Sequence, residues 1–283
     1  MPMPSQQSPI LVLGASGKTG RRVVERLRAR ELPVRLGARW ANPPFDWGDP
    51  DTWRPALRGA RAVYVSYFPD LAVPGAPEAV GALAAAAVET GADRLVLISG
   101  RGEQGAQRSE EILQRSGARW TVVRSSWFNQ NFSESYFREP LVAGELALPT
   151  RDVGEPFIDA GDIADVAVAA LTEDGHAGEV YEVTGPRLLT FAEAVEEIAR
   201  ASGRKLRYVP IGIDDFAADL TEAGAPEEEV ALLRYVFADV LDGRNAYVAD
   251  GVQRALGRPP RDFTDYTRAA AASGVWDATP VRS

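Results

Sequence analysis

Three glycines spaced three residues apart, Gly14, Gly17 and Gly20, form a turn suited to binding a charged ligand. The apolar run Ile10–Leu13 before them predicts a buried strand, and the amphipathic segment 21–28 after them predicts a helix. In such a turn, glycines let the backbone approach a pyrophosphate, and the helix N-terminus supplies free N–H groups and a partial positive charge. We therefore predict a dinucleotide phosphate site at these glycines and at the residues among them, Ser16, Lys18 and Thr19.

A phosphate-binding loop of the nucleotide triphosphatase type is the main alternative for this turn. Gly17, Lys18 and Thr19 resemble the end of such a loop. That motif needs a glycine five residues before Gly17, and Val12 stands there, inside the predicted strand. The spacing therefore argues against a nucleotide triphosphatase.

The last residue of the second predicted strand, 33–39, indicates which dinucleotide fits. An acid there would accept hydrogen bonds from the adenosine ribose of NAD, but the chain has Arg39. A guanidinium can hold the 2′-phosphate of NADP through paired hydrogen bonds, and Lys18 would add a second positive charge. We therefore predict NADP(H) as the cofactor, with two solvated cations as the alternative. Asp49 ends a predicted third strand, 45–49, and is either an acceptor for the adenine amino group or a turn residue.

Further candidates follow the later strands, because ligands of parallel sheets bind outside the carboxyl ends of the strands. The predicted strand 61–68 contains Ser66 and Tyr67 near its end, and the predicted strand 94–99 ends at Ser99 and Gly100. We expect Ser66, Ser99 and Gly100 to bind the nicotinamide ribose and ring. The candidate catalytic hydroxyls are those of Tyr67, Ser99 and Tyr136.

An aromatic run follows the predicted sixth strand, 120–124. Such side chains suit a flat substrate that is apolar or cationic. The alternative for any single ring is packing in the core. We predict that Trp127 and Phe128 contact both cofactor and substrate, and that the substrate site contains Trp127, Phe128, Asn131, Phe132 and Tyr136.

Composition excludes several kinds of chemistry. The chain has 283 residues and no cysteine, which rules out disulfides, thiolate catalysis and zinc–sulfur sites. Its one histidine, His176, lies in a predicted surface turn, 173–178, so no histidine triad and no metal site are expected. The net charge of −9 opposes nucleic-acid binding. The expected partner is a small molecule, and formation of a homodimer is left open.

The hydropathy of the chain and the composition of its first residues indicate where the protein is located in the cell. No apolar run reaches about 18 residues, so no membrane span is expected. The polar segment 1–8 lacks the apolar centre of a signal peptide and is predicted to be a frayed tail. A cytoplasmic location is compatible with these features and with the lack of cysteine.

Strands that alternate with helices predict an α/β fold with a doubly wound parallel sheet. We assign 1–155 to this sheet and its helices and expect a late strand, 178–185, to return to it. The remainder, 186–283, is predicted to be a smaller, mostly helical substrate-binding part, in which Thr190 and Glu193 form a capping box. The other predicted elements are helices 51–59, 77–90, 109–116, 214–223, 226–239 and 262–273, and a strand 206–211.

The chain resembles the NmrA-like branch of the atypical short-chain dehydrogenases, which includes NAD(P)H:quinone reductases, redox-sensing regulators and iminium reductases. The resemblance covers about the first 200 residues and implies a Rossmann fold with Trp127, Phe128 and Asn131 beside the nicotinamide. It is carried by the ranges 14–20, 121–124, 157–159, 162–167 and 181–186 and by Arg39, Ser109, Glu110, Leu113, Ser116, Gly117, Trp127, Phe128 and Asn131.

The chain departs from other short-chain dehydrogenases at their catalytic pair, Tyr-x-x-x-Lys. Gly14 and Ala201 stand four residues before its two lysines, Lys18 and Lys205, so the pair is absent. A reductase without it suits acceptors that need little proton donation, such as an iminium, a quinone or an activated enone. The alternative is a regulator that binds NADP(H) without turnover and acts through a protein partner. Glu110 is predicted to be a solvated acid on its helix.

Overall fold

The computed structural model describes residues 8–150 and 152–277, and its contacts divide the chain into two compact units. Unit 1 contains the residues up to Ser125 together with Ala160–Val183 and Asp250–Arg258. Unit 2 contains Ser126–Asp159, Thr184–Ala249 and the residues from Pro259 on. These bounds differ from the predicted ones because the chain leaves the sheet at residue 125 and returns to it at 160–183 and 250–258. The tail predicted at 1–8 lies, except for Ser8, outside the described residues.

The strands alternate with helices along most of the chain. The strands are β1 (Ile10–Leu13), β2 (Val34–Gly37), β3 (Ala62–Val65), β4 (Arg94–Gly100), β5 (Arg119–Ser125), β6 (Glu145–Leu148), β7 (Glu179–Val183) and β8 (Arg207–Pro210). The helices are α1 (Lys18–Ala29), α2 (Trp53–Leu57), α3 (Ala76–Thr90), α4 (Gln104–Gln114), α5 (Arg138–Ala143), α6 (Ala160–Thr172), α7 (Phe191–Ser202), α8 (Ile213–Glu222), α9 (Glu227–Tyr235), α10 (Gly251–Leu256) and α11 (Phe263–Ala272). Short 3₁₀ turns lie at Pro50–Thr52 and Asn129–Phe132, and a π-helical turn at Val236–Val240.

Unit 1 is built on a six-stranded parallel sheet in the order β2-β1-β3-β4-β5-β7. All four residues of β1 and of β3 are buried, as expected for strands covered on both faces. Helices α1 and α6 pack together, and α3 packs against α2 and α4. The predicted doubly wound α/β fold is confirmed, including the late strand β7, which pairs with β5. The strand order reverses between β1 and β3, the position where such sheets bind ligands.

The predicted third strand at 45–49 is wrong. Only an isolated antiparallel bridge joins Asp46 to Asp49. The carboxylate of Asp46 accepts a hydrogen bond from the Gly48 N–H (2.9 Å), and the carboxylate of Asp49 accepts one from the Asp51 N–H (3.2 Å). These local bonds stabilise turns in place of a strand ladder. The apolar residues that suggested a strand pack as an aromatic cluster, with the ring of Phe45 5.2 Å from that of Trp47.

Several expected boundaries are confirmed. Helix α3 ends at Gly91, whose φ of +81° is accessible mainly to glycine. Thr190 and Glu193 form the reciprocal hydrogen bonds of a capping box at the start of α7. The helix predicted at 109–116 is α4, which begins five residues earlier, at Gln104. The sequence analysis did not assign β6, α5, α6 or α10.

Unit 2 combines a small sheet with an aromatic core. Strand β6 pairs in parallel with β8, and α7 packs against α11. Six phenylalanines and one tryptophan are nearly fully buried in this core: Phe132, Phe137, Phe157, Phe191, Phe237, Phe263 and Trp276. In the described part of the chain, no helix combines the length and apolar character needed to span a membrane.

The prediction that His176 is solvated is wrong. His176 is only 8% exposed, and its Nδ1 lies 2.8 Å from the hydroxyl of Tyr181 on β7. The carbonyl of His176 accepts a hydrogen bond from the hydroxyl of Thr121 on β5 (2.7 Å). These contacts hold the turn before β7 against the sheet, so the histidine has a structural role in unit 1.

Candidate active site

The glycine turn between β1 and α1 is shaped by close backbone approach. Gly14 has φ of +65°, which favours glycine, and a Cβ placed on Gly20 would lie 2.1 Å from the carbonyl oxygen of Gly14. These two glycines are therefore required by the turn itself. Gly17 is less tightly constrained: it is exposed, and a Cβ placed on it would lie 3.2 Å from the same oxygen. It is the N-cap of α1, and no side chain caps the helix there. The first turn of α1 thus keeps N–H groups for an external anion.

The side chains in this turn differ in their exposure to solvent. Ser16 is exposed and Lys18 is partly buried. Thr19 is buried, and its hydroxyl oxygen accepts a hydrogen bond from the hydroxyl of Tyr64 (2.8 Å). Burial raises the pKa of Tyr64, which keeps this donor protonated. The Thr19 side chain therefore joins β3 to α1.

Arg39 and Asp49 lie in the segment that follows β2. Arg39 is exposed and makes no hydrogen bond or ion pair with any residue that the structure describes. Trp40 beside it is 71% exposed. Asp49 caps the 3₁₀ turn Pro50–Thr52 through its carboxylate. The guanidinium of Arg39 is thus available to bind an anion, whereas the Asp49 carboxylate already accepts a hydrogen bond within the fold.

Ser66 and Tyr67 follow β3. A Cβ placed on Gly14 would lie 3.2 Å from both the Cβ and the hydroxyl of Ser66, so Ser66 borders the glycine turn. The Tyr67 ring lies 4.8 Å from the ring of Trp47. Burial, and to a smaller extent the carboxylate of Glu78, raise the pKa of Tyr67. Its hydroxyl is therefore a weak acid.

Ser99 at the end of β4 belongs to a buried polar network, and the prediction that Glu110 is solvated is wrong. Glu110 on α4 is 2% exposed, and it accepts a hydrogen bond from the Ser99 hydroxyl (2.6 Å). Arg124 on β5 donates to the same carboxylate through Nε (3.0 Å). Arg101 donates to Glu182 on β7 (2.7 Å), whose other oxygen lies 3.8 Å from Arg124. Opposite charges and hydrogen bonds make this burial tolerable.

A carboxyl group that sequence reasoning missed lies beside this network. A Cβ placed on Gly100 would lie 2.3 Å from Oε1 of Glu103, so the Glu103 carboxyl occupies the space beside Gly100. Burial raises the pKa of Glu103 to about 9, and the carboxyls of Asp70 and Glu110 add to the shift. Glu103 is therefore protonated near neutral pH. A glycine three residues before an acid is too common a pattern to have indicated this contact.

The predicted substrate residues of unit 2 differ in exposure. Phe132 is fully buried, and Trp127, Phe128 and Asn131 are partly buried. Trp127 contacts three core rings: its centroid lies 6.4 Å from Phe137, 5.3 Å from Phe191 and 5.2 Å from Phe237. Phe132 is thus a core residue, and Trp127 serves the core at least in part.

Tyr136 and Asn129 are two further polar residues of this segment. Tyr136 is 44% exposed, and its ring lies 4.9 Å from that of Phe137. Desolvation and the carboxylate of Glu229 raise the pKa of its hydroxyl. Asn129, which sequence reasoning missed, is fully buried, and neither atom of its amide is hydrogen-bonded to a described residue. The polar run around it contains no signal that separates it from its neighbours.

The fold and the glycine turn agree with what comparisons with known proteins show. A six-stranded parallel sheet with a glycine turn after its first strand defines the class of Rossmann-fold proteins. No family model matches the chain. The chain is 32% identical over 288 residues to an NAD(P)H azoreductase of Xenophilus azovorans, covering 93% of this chain and 98% of that protein. It is 34% identical over 279 residues to the (4-alkanoyl-5-oxo-2,5-dihydrofuran-3-yl)methyl phosphate reductase of Streptomyces griseus, covering 91% and 96%.

Solved structures agree on the fold. The NADPH complex of an NADPH-dependent quinone oxidoreductase from Escherichia coli superposes with a TM-score of 0.77 at 21% identity, covering 92% of this chain and 99% of that one. The chain belongs to the NmrA-like family of atypical short-chain dehydrogenases and reductases. The resemblance drawn from the sequence motifs is thereby confirmed.

Proposed function

We propose that the protein is an NADPH-dependent reductase that transfers hydride to a small, activated organic acceptor. The observation that carries the proposal is the turn at Gly14, Gly17 and Gly20, where an exposed helix N-terminus has no side-chain cap. One relative is named an NAD(P)H azoreductase and another a (4-alkanoyl-5-oxo-2,5-dihydrofuran-3-yl)methyl phosphate reductase, so reduction is the chemistry common to both names. The acceptors we favour are an iminium, a quinone or an activated enone.

The residues of unit 1 fit the cofactor. Gly17 leaves room for a pyrophosphate, since a larger side chain at this exposed N-cap would occupy the space over the first turn of α1. Arg39 has no partner among the described residues and can bind a 2′-phosphate, with Lys18 as a second cation. Ser66, Ser99 and Gly100 lie at the ends of β3 and β4 and would bind the nicotinamide riboside. When bound, NADPH supplies the hydride.

The proposed chemistry needs no strongly acidic hydroxyl. Burial raises the pKa of both Tyr67 and Tyr136, whereas the tyrosine of a Tyr-x-x-x-Lys pair has its pKa lowered by the lysine. These hydroxyls are therefore poor proton donors. An iminium carbon is already electron-poor, and hydride addition completes its reduction without a proton. Trp127, Phe128 and Tyr136 would supply flat surface and orientation to such an acceptor.

A panel of acceptors tests the proposal. NADPH oxidation is followed spectroscopically with iminium ions, quinones and enones, and each product is identified by mass spectrometry. We expect turnover with one or more of these classes, and slower turnover when NADH replaces NADPH. Gly17→Val serves as the variant that should lose turnover with every acceptor.

A regulator that senses NADP(H) without turnover is the second candidate, and the missing tyrosine–lysine pair favours it. It predicts tight NADPH binding and no oxidation of NADPH by any acceptor in the panel. In that case, a partner protein should bind differently to the NADP⁺-loaded and NADPH-loaded chain.

A further inference from the structure

We propose that the indole ring of Trp40 binds the adenine ring of the cofactor by stacking on it. The inference rests on the proposed binding of NADPH and adds a residue for the base. Asp49, the sequence-based candidate for the adenine amino group, already accepts a hydrogen bond from the Asp51 N–H (3.2 Å). The two residues after β2 then have separate tasks: Arg39 binds the 2′-phosphate, and Trp40 binds the base.

Strand β2 ends directly beside the glycine turn. Strands β1 and β2 pair in parallel with Leu13 opposite Gly37, so the chain leaves them at neighbouring positions, Gly14 and Ala38. Paired strands lie about 4.8 Å apart. A Cβ placed on Gly37 would lie 3.1 Å from the Cα of Leu13, so this glycine permits the close approach of the two strand ends. The segment after β2 therefore begins next to the proposed phosphate site, where the adenosine of a bound dinucleotide lies.

Arg39 and Trp40 are the two central residues of a tight turn. The Ala41 N–H donates to the carbonyl oxygen of Ala38 (3.1 Å), which closes the turn. The Phe45 N–H donates to the same oxygen (3.0 Å), and the Phe45 side chain is buried in the core of unit 1. The base of the turn is thereby fixed, whereas the two side chains at its tip are exposed.

The ring of Trp40 is not used by the packing of unit 1. It is 71% exposed and makes no ring contact or hydrogen bond with any residue in the described ranges. Two tryptophans of the same segment differ, because Nε1 of Trp47 donates to the Ser66 carbonyl (3.1 Å) and Nε1 of Trp53 donates to the Asp46 carbonyl (2.7 Å). Trp40 therefore leaves a large flat surface in contact with solvent, beside the turn that we propose binds the phosphates.

The ligand that matches this pair is a flat base on a phosphorylated ribose. The guanidinium of Arg39, which has no partner among the residues that the structure describes, suits a phosphate. The indole of Trp40 suits a nucleobase, because bases stack on aromatic side chains. In the adenosine 2′-phosphate part of NADPH, the base and the phosphate are attached to adjacent carbons of one ribose. Two adjacent side chains with these two chemistries therefore match two adjacent groups of the ligand.

The experiment measures dissociation constants by isothermal titration calorimetry for the full-length protein with NADPH, NADH and 2′,5′-ADP. Trp40→Ala should weaken all three ligands by a similar factor, about five- to thirtyfold, because each contains the adenine ring. Arg39→Ala is the matched comparison and should weaken only NADPH and 2′,5′-ADP, which carry the 2′-phosphate. Trp40→Phe keeps an aromatic face and should retain most of the affinity.

Fluorescence gives a second readout that does not depend on activity. A base that stacks on an indole quenches its emission, and 2′,5′-ADP contains no nicotinamide that would add to this effect. The wild-type emission should therefore fall when 2′,5′-ADP binds. Trp40→Phe should bind the same ligand with little change in emission. Quenching that is as strong in Trp40→Phe as in the wild type would overturn the inference.

The binding results separate the inference from the proposed function. Unchanged affinities in Trp40→Ala would overturn the inference, as would a loss confined to the two ligands with a 2′-phosphate. A wild-type protein that binds none of the three ligands would refute the proposed function and the inference with it. Binding of NADPH that depends on Trp40, without oxidation of NADPH by any acceptor, would refute the reductase and support the inference. Since Trp40 is exposed, melting temperatures of its variants should stay close to that of the wild type.

Discussion

At the scale of single residues, the polar atoms that the fold already uses differ from those left for a ligand. The Thr19 hydroxyl accepts from Tyr64, and the Asp49 carboxylate caps a turn. Arg39 and Gly17, in contrast, are exposed, and neither is tied to the fold through a side chain. The sequence makes all four residues candidates for cofactor binding. Their contacts in the structure favour Arg39 and Gly17 over Thr19 and Asp49.

Arg39→Ala tests the assignment of the cofactor. Loss of a charged hydrogen-bonded contact should weaken NADPH binding by roughly 1–3 kcal/mol and leave NADH binding almost unchanged. Isothermal titration calorimetry with both cofactors measures this. Arg28→Ala, at an exposed position on α1, removes the same charge and is the matched control. Equal loss for the two cofactors, or tighter NADH binding in the wild type, would contradict the assignment.

Gly17→Val tests the phosphate site. The added side chain should abolish NADPH binding in a protein that remains folded, because it enters the space of the pyrophosphate. Gly212→Val is a matched control, since Gly212 is also an exposed helix N-cap, with φ −71° and ψ 151° against −71° and 170° at Gly17. Circular dichroism and calorimetry together give the answer. NADPH affinity that is unchanged in folded Gly17→Val would place the phosphates elsewhere.

Glu103 gives a prediction about pH. Because the fold raises its pKa from 4.5 to about 9, the protonated form stabilises the native state, and this stabilisation is lost as pH rises through that window. Glu103→Gln stays neutral and should become more stable than wild type as pH rises from 5 to 8. We expect a difference of about 2 °C or more in melting temperature at pH 8.

The control for Glu103→Gln is Glu111→Gln, which removes an exposed carboxyl from α4, the helix that begins directly after Glu103. Melting curves at several pH values measure both variants. A stability difference between Glu103→Gln and wild type that does not change with pH would show that the Glu103 carboxyl is ordinary.

At the scale of elements, hydrophobic pattern and glycine position predict most of unit 1. Strand β1 lies at the predicted residues, Ile10–Leu13, and the helix predicted at 21–28 is α1, which begins three residues earlier, at Lys18. Local periodicity determines both elements. The strand predicted at 45–49 is wrong, because the rings of Phe45 and Trp47 pack together in a turn instead of alternating across a sheet. Strand β6 is missed because its partner β8 lies about 60 residues away, and no local pattern reveals such a pairing.

The candidate site divides in the same way. The glycine turn and Arg39, which we propose bind the cofactor, are local features and could be predicted from the sequence. The burial of Glu110 and His176 could not, because each depends on a partner from strand β5, Arg124 in one case and Thr121 in the other. A lone acid or histidine in a polar segment looks solvated until its tertiary partner is known.

Variants in the segments after β3 and β5 test whether the reaction needs a proton donor. Tyr67→Phe and Tyr136→Phe should each keep turnover within about tenfold of wild type, whereas removal of an essential general acid costs about 10²–10⁴ in rate. Phe128→Ala should lower kcat/KM by roughly tenfold to a hundredfold through lost positioning. Steady-state kinetics measures each variant. A loss of more than a hundredfold in either tyrosine variant, with NADPH affinity intact, would reveal a proton donor.

The effect of Trp127→Ala on activity has to be interpreted together with its effect on stability. Its ring contacts Phe137, Phe191 and Phe237, so the substitution should lower both activity and melting temperature. Phe128→Ala is therefore the cleaner test of substrate positioning.

At the scale of the whole molecule, family membership and the residues of the candidate site both support the proposed NADPH-dependent reductase. The chain belongs to a family whose members include reductases, and unit 1 contains the glycine turn and the exposed cation that we propose bind NADPH. One fold can host catalysis or sensing, so the fold does not decide between these two candidate functions. Hydride transfer itself is the property that separates them.

The most direct measurement follows deuterium from the cofactor to the product. The protein is incubated with NADPH deuterated at the transferable hydride position and with an iminium acceptor, a quinone and an enone. Mass spectrometry and NMR then locate the label. We predict that NADPH is oxidised and that the deuterium appears on the reduced carbon of the iminium or enone product. Tight binding of NADPH with no oxidation by any acceptor, or a product that carries no deuterium at that carbon, would contradict the proposed reductase.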